Sequence, residues 1–452
     1  MNFVFLLVLS ALIVCESGSA QSIVVTPIHT FNSHESTSVA TDPISLFIGK
    51  FDGSLYGVTY RDQTNGTIFS LKADGSGYAV LHSFAPGEEA IAGAGFVPGQ
   101  GYPTPSVLQG NDGNLYGTTP KGGANDSGTF FRLNPNGSGY TVLHEFTAAD
   151  GGPGVLIQAS GGAFYGAGAG IFKIDGNGNN YTVLYSFTNS ADGFALASLA
   201  QGSDGVLYGA TVLGGAYGSG TVFSIATNGT GFKVLHSFAG VDGGNPSSLI
   251  QGSDGALYGT TSGTYGITNT IFKIGTNGDG FLTLRTFINA SNGGFDPLGA
   301  LVEGASQVLY GTTYEGNING TVFKIGMDGS GYSSLYNFTN ATAVGAKPIT
   351  GLVKDPNNAG VFYGTTSTGG GPSTGSVFAA LIYPPITITP VVSQTASNQT
   401  VVFWPKWAGT YALQSTTNIA SSNWVNVSDG TPVFGVQVTS TNPAVFYRLV
   451  SP

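Results

Sequence analysis

Residues 254–261 read DGALYGTT, a phrase that recurs along most of the chain. Its tyrosine has six further copies at spacings of 43 to 60 residues: Tyr56, Tyr116, Tyr165, Tyr208, Tyr310 and Tyr363. Self-similarity at a period of this size is the signature of a repeat architecture. The chain therefore predicts seven repeated units.

Three further phrases accompany the tyrosine phrase in a constant order. Residues 248–251 (SLIQ) precede it, and residues 320–323 (GTVF) and 234–238 (VLHSF) exemplify the two phrases that follow. Short turns that contain Asp-Gly or Asn-Gly separate the phrases, as in 328–331 (DGSG). These residues supply the positive φ that tight hairpins require. Four-stranded antiparallel units of about 50 residues are propeller blades. The turn spacing excludes a helical solenoid.

The two ends of the repeat region predict a closed ring. The last unit, from Tyr363 to Phe378, is not followed by a copy of the 234–238 phrase, yet residues 27–31 (PIHTF) form an isolated copy of it near the N-terminus. Residues 23–31 are therefore expected to be the outer strand of the seventh blade. Such closure removes the open sheet edge that invites aggregation. An open β-solenoid with a stray terminal strand is the alternative.

Composition restricts the classes of partner. The chain of 452 residues has 72 Gly and 12% aromatic residues, which suits short strands and tight turns and differs from a disordered chain. Only 8% of residues are charged and the net charge is −10. Nucleic-acid binding needs a basic footprint, and so does docking on anionic lipid. Neither partner is predicted.

Residues 1–20 are predicted to be a signal peptide. An apolar run from Val4 to Val14 is followed by small residues up to Ala20, and the run is too short to remain as a membrane span. The mature chain is expected to contain no transmembrane segment and to be extracellular or at the cell surface. Cys15, the only cysteine, lies in this segment, so the mature protein would have no thiolate metal site.

Composition changes again after residue 383. All three tryptophans lie beyond it, and alternating stretches such as 400–404 (TVVFW) predict strands. The predicted organisation is a seven-bladed β-propeller over 21–383 and a small all-β sandwich over 384–452.

The repeated phrases resemble the GloVer tandem repeat family of exported bacterial proteins. The resemblance covers roughly residues 23–380 and implies a propeller-like fold, but it brings no agreed activity. The tail is similar to the terminal β domains of secreted verrucomicrobial-type proteins through 401–405 (VVFWP), 411–418 (YALQSTTN) and 446–449 (FYRL).

The sequence predicts no catalytic centre, no metal site and no cofactor. Four histidines share one position of the repeat, which favours packing over catalysis: His29, His82, His144 and His236. Four aspartates recur within one turn: Asp52, Asp112, Asp204 and Asp254. An aspartate there can hold its own turn by bonding the backbone. Calcium is the alternative, but it needs six to eight oxygens, and these carboxylates are single.

The predicted ligand-binding residues lie on the long loops. In a four-stranded blade, the second-to-third loop and the inter-blade loop share one face, whereas the tight turns occupy the other. Loops on a rigid scaffold are where binding usually occurs. The long loops contain the aromatic candidates Tyr60, Tyr102, Tyr217, Tyr265, Tyr314 and Phe295, with Phe194 at a similar inter-blade position.

Three functions remain open at this point. The preferred hypothesis is a secreted, non-catalytic protein that binds extracellular polysaccharide or a cell-surface protein through the long-loop face. A purely structural role in the envelope is the alternative. A carbohydrate-active enzyme is the third possibility, since a glycosidase needs two carboxylates; Glu88 or Glu89 with Glu315 is the candidate pair.

Overall fold

The computed structural model describes most of the repeat region and several strands near both termini. The described residues are 3–8, 11–16, 23–31, 42–61, 64–85, 87, 107–187, 190–263, 268–287, 295–315, 319–339, 344–358, 360–368, 375–382, 391–394, 399–403, 412–416, 425–426, 435–439 and 445–450. They divide into two units, one formed by Val25–Leu381 and the other by the two terminal segments.

Seven blades make up the larger unit, and six of them are continuous in the chain. In each of these, four antiparallel strands pair in chain order. The strands are Asp42–Ile48, Leu55–Arg61, Thr64–Leu71 and Ala79–Ser83 in blade 1; Val107–Gln109, Leu115–Thr119, Thr129–Leu133 and Thr141–Glu145 in blade 2; Leu156–Gln158, Phe164–Ala167, Gly170–Ile174 and Thr182–Ser186 in blade 3; Phe194–Gln201, Leu207–Leu213, Thr221–Ile225 and Lys233–Ser237 in blade 4; Pro246–Gln251, Leu257–Thr261, Asn269–Ile274 and Leu282–Phe287 in blade 5; and Val302–Glu303, Val308–Thr313, Thr321–Gly326 and Ser333–Asn337 in blade 6.

Blade 7 is completed by the N-terminal strand. Its strands are Ala346–Pro348 with Val353–Lys354, Val361–Thr368, Ser376–Ile382 and, in the outer position, Ile23–Thr30. The prediction that residues 23–31 close the ring is thereby confirmed.

Contacts between blades 7 and 1 join the two ends of the array. Thr365 Oγ1 donates to the Pro43 carbonyl at 3.0 Å. Phe31 is fully buried, and its ring centroid lies 5.4 Å from that of Phe69 in blade 1. The blade 1 turn at Gly75 lies so close to the outer strand of blade 7 that a Cβ there would overlap the Ile28 carbonyl. These contacts exclude the open solenoid.

The repeated Tyr-Gly-Thr sequence is explained by packing inside each blade. Gly209 on the second strand of blade 4 lies opposite Phe223 on the third strand, and a Cβ at Gly209 would overlap the Phe223 ring. The second strand is buried on both faces from Leu207 to Val212 because each blade is packed between two neighbours. The glycine leaves room for the aromatic ring that the third strand always supplies.

A glutamine on each of four first strands links successive blades at the tight turns. Gln201 Nε2 donates to the Gly205 carbonyl at 3.1 Å, and its Oε1 accepts from the Ser160 amide of blade 3 at 2.8 Å. The same pair of bonds is formed by Gln109, Gln158 and Gln251. Each glutamine thus holds its own turn and the preceding blade's turn. On the tight-turn face, the recurrent polar groups therefore link neighbouring blades.

The terminal segments contain strands of their own. Phe3–Val8 pairs with Ala11–Glu16, and one sheet also includes Val445–Val450, Ala412–Thr416 and Val425–Asn426. A three-stranded sheet consists of Val391–Gln394, Gln399–Phe403 and Gly435–Thr439. The signal peptide over 1–20 and the sandwich over 384–452 stay predictions. In the described part of the chain, no helix has the length and apolarity needed to cross a membrane.

Candidate functional site on the long-loop face

The recurrent aspartates hold the turns in which they lie. Asp112 Oδ1 accepts from the Asn114 amide at 3.1 Å, and its Oδ2 accepts from the Tyr116 hydroxyl at 2.9 Å. Burial and this bond to Asp112 raise the pKa of Tyr116 to about 12. Asp52, Asp204 and Asp254 make equivalent bonds. The predicted turn-stabilising role is confirmed. No group of three His, Cys, Asp or Glu side chains suited to a metal occurs among the described residues.

The recurrent histidines are packing groups between blades. His82 stacks on Tyr140 of the next blade with ring centroids 3.7 Å apart. The same stack is formed by His29 on Tyr78, His144 on Tyr181 and His236 on Phe281, and Tyr185 on Phe232 reproduces it where histidine is replaced. Burial lowers the pKa of His82, so the stacked ring is neutral at pH 7. The packing interpretation is confirmed.

Several exposed apolar side chains lie at the long-loop end of one blade. Among the described residues, nine large apolar side chains are exposed. Four of these lie on outer strands and one, Phe51, in a tight turn. The other four belong to the long-loop end of blade 4, and we call them the blade 4 patch: Phe194 (45% exposed), Leu213 (38%), Tyr217 (68%) and Val241 (84%).

The backbone fixes the loops that support the blade 4 patch. Phe194 and Leu213 lie opposite one another on the first and second strands. The loop of Tyr217 is held by the bond from the Gly215 amide to the Ser190 carbonyl at 2.7 Å. The patch is therefore presented by loops that are tied to the blade.

A second feature of this face is the residue that precedes the first-strand proline in blades 5, 6 and 7. We call these three the rim residues: Asn245, Asp296 and Lys347. All three adopt left-handed backbone conformations, with φ of 53°, 55° and 57°. The Asn245 amide donates to Ser219 of blade 4 at 2.8 Å, and its carbonyl accepts from Ser262 of blade 5 at 3.1 Å. A rim residue thus joins neighbouring blades.

The junction of blades 5 and 6 carries a polar pair that involves a rim residue. Asn269 Nδ2 donates to Asp296 Oδ1 at 2.6 Å, and Asn269 Oδ1 accepts from the Gly263 amide at 2.6 Å. Asn269 is fully buried. Burial raises the pKa of Asp296 to about 6; the bond from Asn269 opposes this shift, and the charge of Glu315 adds to it.

Two predicted binding residues meet at this junction. Phe295 and Glu315 exchange backbone hydrogen bonds of 2.5 and 3.0 Å, and Tyr314 donates its amide to the Asp296 carbonyl at 2.9 Å. Lys347 Nζ lies 5.0 Å from the centroid of the Tyr314 ring. Phe295 and Tyr314 are half-buried, unlike Tyr217.

The other candidates lie outside the description. The backbone of Tyr60 belongs to the strand Leu55–Arg61, but its side chain is not among those described. Tyr102, Tyr265 and the carboxylate candidates Glu88 and Glu89 lie outside the described residues.

Sequence reasoning missed Asn269 and Asp296. The available signal was Asn269 itself, which stands where the repeat has glycine in blades 4 and 6, as at Gly220 and Gly320.

Comparison with known families supports the repeat assignment. Residues 167–378 match the family model of the Gloeobacter/Verrucomicrobia repeat. The resemblance to the GloVer repeat is thereby confirmed. No curated protein matches the chain significantly.

Several solved structures are similar to this chain in fold. An extracellular domain from B. thetaiotaomicron, described as part of a one-component system, has a TM-score of 0.51 at 10% identity over 96% of this chain and 58% of its own. PorZ, a surface component of the type-IX secretion system of Porphyromonas gingivalis, has a TM-score of 0.51 at 11% identity over 91% and 58%. Oligogalacturonate lyase from Vibrio parahaemolyticus has a TM-score of 0.50 at 9% identity over 79% and 96%.

These likenesses concern the fold alone. The chain spans 58% of the length of the first two structures. A propeller hosts many unrelated functions, so the activity has to be argued from the site.

Proposed function

We propose that this chain is a secreted, non-catalytic binding protein that holds an extracellular glycan on its long-loop face. The observation that carries the proposal is the blade 4 patch, where the rings of Tyr217 and Phe194 are 68% and 45% exposed beside two further apolar side chains. A soluble protein seldom leaves such a cluster in water unless it meets a partner. The mild negative charge disfavours anionic partners.

A glycan fits the chemistry of this patch. Sugar rings have apolar C–H faces that pack on aromatic rings, and a few placed polar groups then fix their orientation. The loop of Tyr217 is rich in Gly, so it places little side-chain bulk beside the ring. A cell-surface protein is the other partner that an apolar patch could take, and the experiment below separates the two.

Retention on polysaccharides tests the proposal. The purified protein is applied to a glycan array and to insoluble cellulose, xylan and mannan, together with Tyr217→Ala and Phe194→Ala. Loss of one stacked ring removes about 1.4 kcal/mol, which corresponds to a tenfold lower affinity. Phe51→Ala is the matched control because its ring is 63% exposed but lies in a tight turn on the opposite face.

The outcomes discriminate between the alternatives. Equal retention of wild type and both patch variants would place the ligand elsewhere. If no glycan is retained but an envelope protein is captured in a manner that depends on Tyr217, the partner is a protein. Binding of neither supports the structural role.

The proposal also covers the export of the chain and the fold of its C-terminal region. We propose that residues 1–20 direct secretion, so that N-terminal sequencing of the exported protein should begin at Gln21. We also propose that residues 384–452 form a β-sandwich, which limited proteolysis should release as a resistant fragment.

A further inference from the structure

The junction of blades 5 and 6 departs from the repeat. Blades 1, 2, 4 and 6 have a glycine with φ of 91° to 96° immediately before a threonine of the third strand: Gly66, Gly128, Gly220 and Gly320. In blade 4, this glycine packs on the next blade's proline, with a Cβ at Gly220 only 2.7 Å from Pro246 Cδ. Blade 5 has Asn269 at this position, and the amide of Asn269 extends across the junction to Asp296.

The architecture does not require an acid at the rim position. The residue before the corresponding proline is Asn245 in blade 5, Lys347 in blade 7 and Asp42 in blade 1, and the first two adopt the same left-handed backbone as Asp296. A neutral amide side chain would therefore satisfy the turn at this position, so the turn does not explain the charge of Asp296. Its desolvation and the nearby charge of Glu315 both oppose ionisation. A perturbed carboxylate that the fold does not need is a candidate for ligand recognition.

The same stretch of rim holds two buried oxygen atoms that lack a partner among the described residues. Asn245 is 8% exposed and Ser262 is 3% exposed, and the Asn245 Oδ1 and Ser262 Oγ atoms have no hydrogen-bond partner among the described residues. Ser262 adjoins Gly263, whose amide is held by Asn269. Buried polar atoms normally have partners. The Asn245 amide oxygen can only accept, the Ser262 hydroxyl can accept or donate, and the Asp296 carboxylate accepts. The set therefore favours a ligand that donates hydrogen bonds, and Lys347 at the next rim position disfavours a cationic one.

We infer that Asp296, with Glu315 beside it, forms a subsite that accepts hydrogen bonds from the ring hydroxyls of a neutral sugar. This inference rests on the proposed function, because the subsite and the blade 4 patch would hold the same glycan. Asn269 is a positioning residue: it is fully buried and acts by fixing Asp296 Oδ1. Phe295 and Tyr314 provide the apolar border of the subsite.

Three variants test the subsite on the neutral polysaccharides cellulose, xylan and mannan. Asp296→Asn installs the rim residue of blade 5, and Asn269→Gly places the glycine of the repeat at the corresponding position of blade 5. Asp328→Asn is the matched control because it removes the same charge from an exposed turn on the opposite face of blade 6. Melting curves check that each variant is folded.

The expected result is graded. Asp296→Asn should lower affinity about tenfold, since a charge-assisted hydrogen bond is lost. Asn269→Gly should lower it about threefold, and Asp328→Asn should leave it unchanged. Wild-type binding should weaken between pH 7.5 and pH 5 as Asp296 takes up a proton, whereas binding by Asp296→Asn should not change over this range.

The contradicting results are distinct. If Tyr217→Ala loses binding while Asp296→Asn binds as wild type, the subsite is wrong and the proposed function stands. If wild type binds none of the three polysaccharides, both the subsite and the proposed binding of a neutral glycan are wrong.

Discussion

Asp296→Asn should stabilise the propeller at neutral pH and cease to do so in acid. Burial raises the pKa of Asp296 from 3.8 to about 6, so the folded state binds its proton more tightly than the unfolded state does. The free energy of unfolding therefore carries no penalty from this group below about pH 4. The penalty grows as the pH rises towards 6 and is complete above it. Asparagine has no such charge at any pH.

The size of the effect follows from the same shift. About two pKa units correspond to about 3 kcal/mol. Asp296 is only half-buried, and screening by water reduces this figure, so we expect about 1–2 kcal/mol. The bond that Asn269 donates to Oδ1 is retained in the variant because an amide oxygen also accepts. The left-handed backbone is tolerated as well, since Asn245 adopts it in blade 5.

Urea unfolding followed by circular dichroism at pH 7.5 and pH 4 measures this difference. The stability of Asp296→Asn should exceed that of wild type by about 1–2 kcal/mol at pH 7.5, and the two should converge at pH 4. Asp328→Asn, which removes an exposed charge, should not show this pattern. A variant that is less stable than wild type at pH 7.5, or a difference that is independent of pH, would refute the reasoning about the buried charge.

Three further substitutions test the architecture. Gly209→Ala should cost about 1–3 kcal/mol in the same assay because its Cβ would overlap the buried Phe223 ring, whereas Gly161→Ala, which has open space around it, should be neutral. Phe31→Ala should cost about 3–5 kcal/mol and increase proteolysis of blade 7, since this fully buried ring closes the circle; a loss below 1 kcal/mol would contradict the closure. His82→Tyr should reduce the loss of melting temperature between pH 7 and pH 5. The folded pKa of His82 is lowered by burial, so its share of stability is complete above pH 6.5 and falls in acid.

The architecture could be predicted from the sequence because the same residue pattern recurs in seven units. Gly209 and Phe223 recur as a pair, so one packing solution is visible in every unit. The closing strand was visible for the same reason, since residues 27–31 are a copy of a phrase that the last unit lacks. Periodicity converts a tertiary contact into a sequence pattern.

The inter-blade bonds were harder to predict. Gln201 and its equivalents recur at the end of the first strand, but nothing local shows that their amide reaches the preceding blade's turn. Asn269 and Asp296 were missed because comparing the repeats emphasises the residues that the units share. A position at which a single unit differs does not stand out in such a comparison. Exposure was also invisible in the sequence: Tyr217 and Tyr314 occupy similar loops, yet one is exposed and the other is half-buried beside Lys347.

Hydrogen–deuterium exchange with a bound oligosaccharide tests the central claim, that the long-loop face of the propeller is the binding surface. Soluble fragments of the retained polysaccharide are added, and amide protection is compared between the two faces. Protection is predicted over residues 190–194, 213–219 and 240–245, which carry the blade 4 patch, and none in the tight turns 49–54, 110–114 and 202–206. Protection confined to those turns, or equal on both faces, would contradict the account.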